Sequence, residues 1–381
     1  SAISSSNDAI SFGAVTLGSA TTIDTNASST TGDLTLGVVT GGSNTLTLST
    51  GDNVANSDIT ASGNISGVTT LTLADVGGTA TFAGDVDVTT LSVNNTVANV
   101  ALNGDGSTIT NAISFANDGT LQLGDASGDT LTFNGGLTTT SVGGTVTLNG
   151  EIESSNDAIV LGAVTLGSAT TIDTDASSNT GDITIAAITG GSNNLTLSTG
   201  DNVAGADITA SGAISGLGNL TLADVGGTAT FSANVAAAAL SADSTVANIA
   251  FTGSSNTFSA ASTLANDGTL IFGNSTDDSF TFNGGLTTSS VGGTVTLNTS
   301  ISSSDDALTF GAVTLGNNVT LDTNSTTTNR ADITIGAVTG GSNTLTLTTE
   351  NNVTGSDITA SGAISGVTTL TLASVGGTAT L

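Results

Sequence analysis

The stretch Thr45-Leu46-Thr47-Leu48 alternates threonine with leucine, and it returns farther along the chain as Thr70-Leu71-Thr72-Leu73. A period of two places the leucines on one face of an extended strand and the hydroxyls on the other. The same alternation recurs at 34–36, 79–82 and 145–148, and clusters of Gly, Asn and Asp separate the segments. Such clusters mark turns, and no segment shows the period of an amphipathic helix. We therefore predict an all-β chain of short strands.

Two repeats are nested in the sequence. The segment Gly-Ala-Val-Thr-Leu-Gly at 13–18 returns at equal intervals, at 162–167 and at 311–316. The copies of this longer repeat are 1–149, 150–298 and a partial third copy at 299–381. Within a copy, aspartates recur at shorter steps, which divides the copy into six variants of a segment of about 25 residues. The pattern starts and stops in mid-repeat, so we expect these residues to belong to a longer repetitive polypeptide or to form one link of an end-to-end assembly.

Short strands that return about every 25 residues predict a parallel β-solenoid with coils of that length. Each coil would contribute two or three strands, and each strand would pair with its counterpart one coil on, about 4.8 Å away. Right-handed winding is expected because strand–crossover–strand connections strongly prefer that hand. The solenoid would run as one continuous domain over 1–381. The alternative is a string of tandem antiparallel β-sandwich domains, in which the aspartate period has no natural place.

The composition restricts the function. The 381 residues include one Lys or Arg, 31 Asp or Glu, and no His or Cys, which gives a formal net charge of −30. Nucleic-acid binding requires a basic surface, and His or Cys metal sites and Ser-His triads lack their residues here. No apolar run reaches the roughly 20 residues of a membrane span. We therefore expect no enzyme activity, no nucleic-acid partner and no membrane insertion.

The regularly spaced aspartates are the candidate metal ligands. Stacked coils would align them about 5 Å apart, where like charges repel unless something compensates. In one interpretation each carboxylate accepts a backbone N–H at a turn. In the other, Ca²⁺ bridges successive carboxylates, because calcium prefers oxygen ligands; no other cofactor is expected. The residues of this predicted calcium ladder are Asp8, Asp33, Asp58, Asp157, Asp182 and Asp207.

Two further polar patterns have a functional and a structural interpretation. Thr-x-Thr pairs such as Thr346 and Thr348 would form an ice-binding face if their ranks aligned on one flat side. Variable coil length argues against aligned ranks and favours ordinary outward-facing threonine. Glu151 and Glu153 would share one strand face, as the two carboxylates of a glycosidase share a cleft. The matching positions of the other copies hold Ala or Ser, which favours a structural role.

The phrase Ser-Val-Gly-Gly-Thr-Val-Thr-Leu at 141–148 and the richness in Gly, Thr, Asn, Asp and Val resemble the repeat regions of giant bacterial surface proteins. These proteins are filamentous-haemagglutinin-like adhesins, autotransporter passengers and related β-strand repeat chains. The resemblance covers the whole chain. It implies a secreted β-helical rod, outside a bacterial cell or on its surface, with a structural or adhesive role.

We therefore expect an extracellular structural repeat protein that forms a stiff rod within a fibre, matrix or surface stalk. Such a rod would associate with itself end to end or laterally. One alternative is an adhesin stalk that contacts a cell surface or a glycan through a part outside these residues. A third hypothesis, ice or crystal binding, follows from the threonine pairs.

Overall fold

The computed structural model describes residues 1–51, 54–178, 180–200, 203–325, 330–349 and 353–381. All of their regular structure is strand, and the strands stack in parallel to form a β-solenoid with turns of about 24 residues. The predicted fold class is confirmed, and the β-sandwich alternative is wrong. The chain divides into two compact units, Ser1–Asn193 and Asn194–Leu381. A single continuous domain over 1–381 stays a prediction.

The first unit consists of short parallel strands separated by turns. In chain order they are β1 (Ala2–Ser4), β2 (Ile10–Phe12), β3 (Val15–Thr16), β4 (Thr21–Asp24), β5 (Leu34–Leu36), β6 (Val39–Ser49), β7 (Ile59–Ala61), β8 (Ile65–Ala74), β9 (Val76–Phe82), β10 (Val86–Val93), β11 (Val97–Leu102), β12 (Thr108–Ile109), β13 (Ile113–Ser114), β14 (Leu121–Leu123), β15 (Thr130–Phe133), β16 (Leu137–Thr138), β17 (Val146–Glu153), β18 (Ile159–Asp173) and β19 (Ile183–Thr189).

The second unit repeats this organisation. Its strands are β20 (Leu195–Ser198), β21 (Ile208–Ala210), β22 (Ile214–Ala223), β23 (Thr228–Phe231), β24 (Val235–Ala242), β25 (Asn248–Phe251), β26 (Ser255–Phe258), β27 (Ser262–Leu264), β28 (Leu270–Phe272), β29 (Ser279–Phe282), β30 (Leu286–Thr287), β31 (Val295–Leu297), β32 (Ser300–Ser303), β33 (Leu308–Thr309), β34 (Val313–Leu315), β35 (Val319–Asp322), β36 (Ile333–Ile335), β37 (Val338–Thr339), β38 (Thr344–Thr348), β39 (Ile358–Ala360), β40 (Ile364–Ser365), β41 (Thr369–Ala373) and β42 (Ala379–Thr380).

One coil contains three strands. In the second unit β27 pairs with β30, β28 with β31 and β29 with β32, so each strand pairs with the third strand after it. In the first unit β1 pairs with β4 and β2 with β5 in the same way. Longer strands such as β18 continue through the corners of a coil, and β18 takes part in all three ladders. Three parallel ladders therefore run through each unit.

The inward faces of the ladders are mostly aliphatic. In β5 the side chains of Leu34 and Leu36 are fully buried, whereas Thr35 between them is exposed. The next strand of that ladder, β7, buries Ile59 and exposes Thr60 in the same register. Full burial of one such side chain stabilises the fold by about 1.5–3 kcal/mol. Alternation of period two thus produces a narrow aliphatic core with hydroxyls outside.

The core of the second unit contains stacked phenylalanines. Phe231, Phe251 and Phe272 occupy one register position on successive coils, and their ring centroids are 4.8 and 6.2 Å apart. Phe258 stacks on Phe282 in the same way at 4.8 Å. Parallel coils place identical side chains face to face, and such ring pairs add about 0.5–1.5 kcal/mol beyond their burial.

A smaller residue on the neighbouring coil accommodates Phe258. In the first unit Val88 pairs with Ile109, whereas at the equivalent register of the second unit Ala237 pairs with Phe258. One position gains volume where its neighbour loses it, and volume-conserving exchanges of this kind are tolerated best in cores. The two units therefore fill the equivalent part of the core with different residues.

Coil length varies, yet aliphatic residues still pair with aliphatic residues. Val146 pairs with Val164 across a short coil, whereas Val39 pairs with Ile65 across a much longer one. The difference is taken up by the turns, because the strands still align aliphatic with aliphatic. Aspartate spacing therefore gives only an approximate coil length and not the partner of a given residue.

The longer sequence repeat is not a whole number of coils. The ladder that begins at Ile10 passes through seven coil steps and arrives at Val164. Ile159, the equivalent of Ile10 one repeat later, instead pairs with Leu137 and Ile183 in a different ladder. The expectation of six coils per copy is therefore wrong. Equivalent sequence positions lie on different ladders of the first unit.

Candidate functional site

Two of the predicted ladder aspartates are stacked and bind backbone amides. Asp33 Oδ1 accepts the N–H of Asp58 at 3.1 Å, and Asp58 Oδ1 accepts the N–H of Thr79 at 2.7 Å. Each bond joins one coil to the next. Hydrogen bonds to charged groups stabilise a fold by about 1.5–3 kcal/mol. We call this contact the Asx–amide bond.

A glycine makes room for the Asx–amide bond. A Cβ atom on Gly78 would lie 2.1 Å from Asp58 Oδ1, and a Cβ on Gly227 would lie 2.1 Å from Asp207 Oδ1. Asp207 Oδ1 accepts the N–H of Thr228, the residue after that glycine, at 2.7 Å. At Asp58 and Asp207 the Gly-Thr dipeptide one coil later is therefore part of the contact.

Asparagine makes the same contact at positions that the sequence analysis missed. Asn99 Oδ1 accepts the N–H of Thr120 at 2.8 Å, and Asn248 Oδ1 accepts the N–H of Thr269 at 2.9 Å. A neutral amide oxygen replaces the carboxylate, so the contact itself does not require charge. In the sequence, a Gly-Thr dipeptide about one coil after each asparagine indicates this contact.

Asp8 and Asp157 lie outside these stacks. Ile10 pairs with Leu34, so Asp8 lies one residue out of register with Asp33. The equivalent strand of the next repeat pairs with the same offset. Both carboxylates are exposed in the turn that precedes the strand. Even spacing in the sequence had predicted that Asp8 would align with Asp33, and that alignment is wrong.

Calcium binding at the six aspartates stays a prediction. Asp182 is half-buried at the start of β19, and Asp207 is exposed before β21. Among the residues that the structure describes, no three acidic side chains are grouped so that they could hold one metal ion. The Asx–amide bonds satisfy one oxygen of Asp33, Asp58 and Asp207 without a cation.

Chelation distinguishes the two interpretations of these aspartates. If amide bonds alone occupy the carboxylates, EDTA will leave the melting temperature unchanged to within about a degree, because no bound ion is removed. Thermal unfolding followed by circular dichroism, in EDTA and in excess calcium, measures this difference. A melting temperature several degrees lower in EDTA would establish the calcium ladder, since a ligand that binds only the folded state raises stability.

Glu151 and Glu153 lie on the outward face of β17, next to threonines of the preceding coil. Thr132 Oγ1 donates to Glu153 Oε2 at 3.1 Å, and Thr130 Oγ1 donates to Glu151 Oε2 at 3.4 Å. Partial burial raises the pKa of the Glu153 carboxyl, and the neighbouring Glu151 carboxylate raises it further. The hydrogen bond from Thr132 acts on that pKa in the opposite direction.

Because its pKa is raised in the folded chain, the ionised Glu153 carboxylate lowers the free energy of unfolding. Between its ordinary and its raised pKa the folded chain binds more protons, so the free energy of unfolding falls as pH rises through that window. We expect Glu153→Gln to raise the urea midpoint at pH 7 and to leave it unchanged at pH 3, where both side chains are neutral. Equal shifts at both pH values would contradict the electrostatic cause.

Hydroxyl side chains form aligned ranks on the second unit. One outward rank on successive coils is Thr196, Thr221, Ser241, Thr263, Thr287, Thr309, Thr334, Thr359 and Thr380. The expectation that variable coil length would break such ranks is wrong, because the turns absorb the variation. Alignment comes from the backbone pairing and gives the outer surface a regular spacing of about 4.8 Å.

A neighbouring ladder of the second unit carries two such ranks side by side. We call this surface the hydroxyl face. Its first rank is Ser255, Ser279, Ser300, Thr320, Thr346 and Thr371. Its second rank has hydroxyls at Thr257, Thr281 and Ser302 and continues through Asp322, the buried Thr348 and Ala373.

Family models, curated proteins and solved structures were compared with the chain. None of them matches it. Among the described residues no helix has the length and apolarity that crossing a membrane requires.

Proposed function

We propose that this chain is an extracellular structural repeat protein whose stacked coils form a stiff element of a fibre, matrix or surface stalk. The observation that carries the proposal is the parallel pairing of each strand with the third strand after it, which both units share. Each coil is bonded to the next along three ladders, so bending requires many hydrogen bonds to distort together. A solenoid of this kind suits a load-bearing element.

The side chains reinforce this backbone. Inward residues such as Leu34 and Phe251 are fully buried, and Asx–amide bonds join successive coils at the turns. With one Lys or Arg in 381 residues, the chain offers almost no target to trypsin-like proteases, which favours persistence outside a cell. A formal net charge of −30 keeps neighbouring molecules apart wherever carboxylates face outward.

Electron microscopy and immunolabelling test this proposal. Antibody against the chain is expected to label intact cells of the source organism or the material around them. Purified chain is expected to form filaments that diffract at about 4.7–4.8 Å along the filament axis. A chain found only inside cells, or one that hydrolyses a glycan at a rate that Glu151→Gln abolishes, would overturn the proposal.

A further inference from the structure

A groove opens at one corner of the first unit, where that corner shortens from coil to coil. Between its aligned ends the corner contains residues 41–45 in β6, 67–70 in β8 and 88–90 in β10. Each of these coils therefore has one residue fewer at the corner than the coil before it. Gly67 is left without a partner in β10 and has a φ of +67°, a left-handed conformation that glycine adopts readily. A groove of about 270 Å³ remains beside the shortest corner.

The groove has an apolar floor and a polar rim. Val68 and Val88 pair on adjacent coils and are almost fully buried, so their side chains form the floor. The polar side chains around this floor are those of Asp87, Ser43, Thr69, Thr89, Thr108 and Thr110. Within the described part of the chain, no group hydrogen-bonds to the five hydroxyls of this rim. These hydroxyls are therefore free to exchange hydrogen bonds with a ligand.

Asp87 has one carboxylate oxygen engaged and one free. Its Oδ1 accepts the N–H of Thr108 on the next coil at 3.2 Å, whereas no residue that the structure describes donates to its Oδ2. Burial raises the pKa of the Asp87 carboxyl, the N–H of Thr108 lowers it, and the nearby Asp85 carboxylate raises it. A carboxylate oxygen only accepts hydrogen bonds, so a ligand that fits Oδ2 must be a donor.

The second unit keeps this corner but lacks the polar side chains. One repeat after Asp87 the sequence reads Ala236-Ala237-Ala238, so alanine replaces both Asp87 and Thr89. Ala237 pairs with Leu217 across a register shift, as Val88 pairs with its own partner in the first unit. The corner therefore folds without the carboxylate and without the Thr89 hydroxyl. Polar side chains that the fold does not require, gathered around one groove, point to binding.

The chemistry of the groove matches a neutral saccharide ring. Sugar hydroxyls donate to a carboxylate oxygen and exchange hydrogen bonds with Ser and Thr hydroxyls, whereas the C–H face of the ring is apolar and packs on valine. A formal net charge of −30 disfavours an anionic ligand. The volume of about 270 Å³ lies below the roughly 300–1,000 Å³ of pockets for drug-sized ligands, so a single ring suits it. An organic ammonium ion would use the carboxylate and leave the valine floor uncovered.

We propose that the groove around Asp87 binds one ring of a neutral saccharide. Ring hydroxyls donate to Asp87 Oδ2 and bond with the hydroxyls of the rim, and the apolar face of the ring covers Val68 and Val88. The site adds a binding activity to the structural function proposed above and does not depend on filament formation. A ligand with so few atoms is expected to have a dissociation constant of about 1 mM.

The chain itself supplies the test substitution. Asp87→Ala with Thr89→Ala gives the groove the alanines that the second unit carries at the same repeat positions, so the corner tolerates them. Asp125→Ala with Thr140→Ala removes one carboxylate and one hydroxyl from exposed turn positions of the first unit outside the groove and is the matched control. Circular dichroism confirms that each variant is folded.

Saturation-transfer difference NMR of the full-length chain measures binding. The probes are the methyl glycosides of glucose, galactose, mannose and N-acetylglucosamine, each titrated to about 20 mM, well above the expected dissociation constant. We expect at least one glycoside to bind the parent chain. The Asp87/Thr89 variant is expected to bind it at least tenfold more weakly, and the control to stay within twofold of the parent.

Three results would overturn the inference. Failure of all four glycosides to bind the parent chain would reject the saccharide site and leave the proposed structural function standing. Equal binding to the parent and to the Asp87/Thr89 variant would place the contact elsewhere on the chain. Binding of spermidine but of no glycoside, lost in the Asp87/Thr89 variant, would make the ligand an organic cation.

Discussion

Phe251→Ala is expected to lower the free energy of unfolding of the second unit by about 3–5 kcal/mol, the usual cost of truncating a buried phenylalanine. The side chain is fully buried and lies between Phe231 and Phe272 on adjacent coils. Removal of the ring leaves a cavity and breaks both stacked contacts. Backbone ladders above and below hold the walls apart, so the site cannot collapse to fill the space.

Phe251→Leu is the matched control, because Leu102 occupies the same position one repeat earlier. We expect it to cost less than half as much as the alanine substitution. Urea unfolding of the full chain, followed by far-ultraviolet circular dichroism, gives both values. Equal effects of the two substitutions would show that cavity formation does not determine the stability of this core.

Gly143→Ala is expected to destabilise the first unit by about 3 kcal/mol, at the upper end of overpacking costs. A Cβ on Gly143 would lie 2.1 Å from the carbonyl oxygen of Asp118 on the preceding coil. The N–H of Gly143 donates to the carbonyl of Asn117 at 2.9 Å, so the residue cannot move away without losing that bond.

Gly128→Ala provides the comparison within the same unit. A Cβ there meets no atom within 4 Å, and we expect a change in stability below about 0.5 kcal/mol. Urea midpoints of the two variants separate steric exclusion between coils from the general effect of replacing a glycine. A Gly143→Ala midpoint equal to that of Gly128→Ala would mean that the coils do not approach as closely as described.

The sequence was sufficient for the fold class because alternation and repetition are local signals. Leu34-Thr35-Leu36 has a buried, exposed, buried pattern in the structure, as its alternation predicted. Coil register was harder, because turns differ in length and only pairing reveals the difference. Asp8 lies one residue away from the aspartate stack for this reason. The short step from Val146 to Val164 could not be anticipated from a mean period.

The sequence predicts which residue types face outward and which lie in the core, but it does not predict which of them are neighbours on adjacent coils. The variable spacing of the threonines in the sequence predicts misaligned ranks, whereas the structure aligns them. The compensation between Ala237 and Phe258 depends on contacts between different coils, which the sequence does not identify. The Asx–amide bond of Asn99 depends on the backbone N–H of Thr120 on another coil, and the spacing of the aspartates does not indicate it.

Disulfide cross-linking tests the register of the coils most directly, because the natural chain contains no cysteine. Thr147 and Thr165 are outward-facing partners on adjacent coils, whereas Thr171 lies farther along the same strand as Thr165. Parallel neighbours about 4.8 Å apart satisfy disulfide geometry. We predict that Thr147→Cys with Thr165→Cys cross-links within one chain on mild oxidation, and that Thr147→Cys with Thr171→Cys does not. Cross-linking of the second pair and not the first would contradict the stacking on which the account depends.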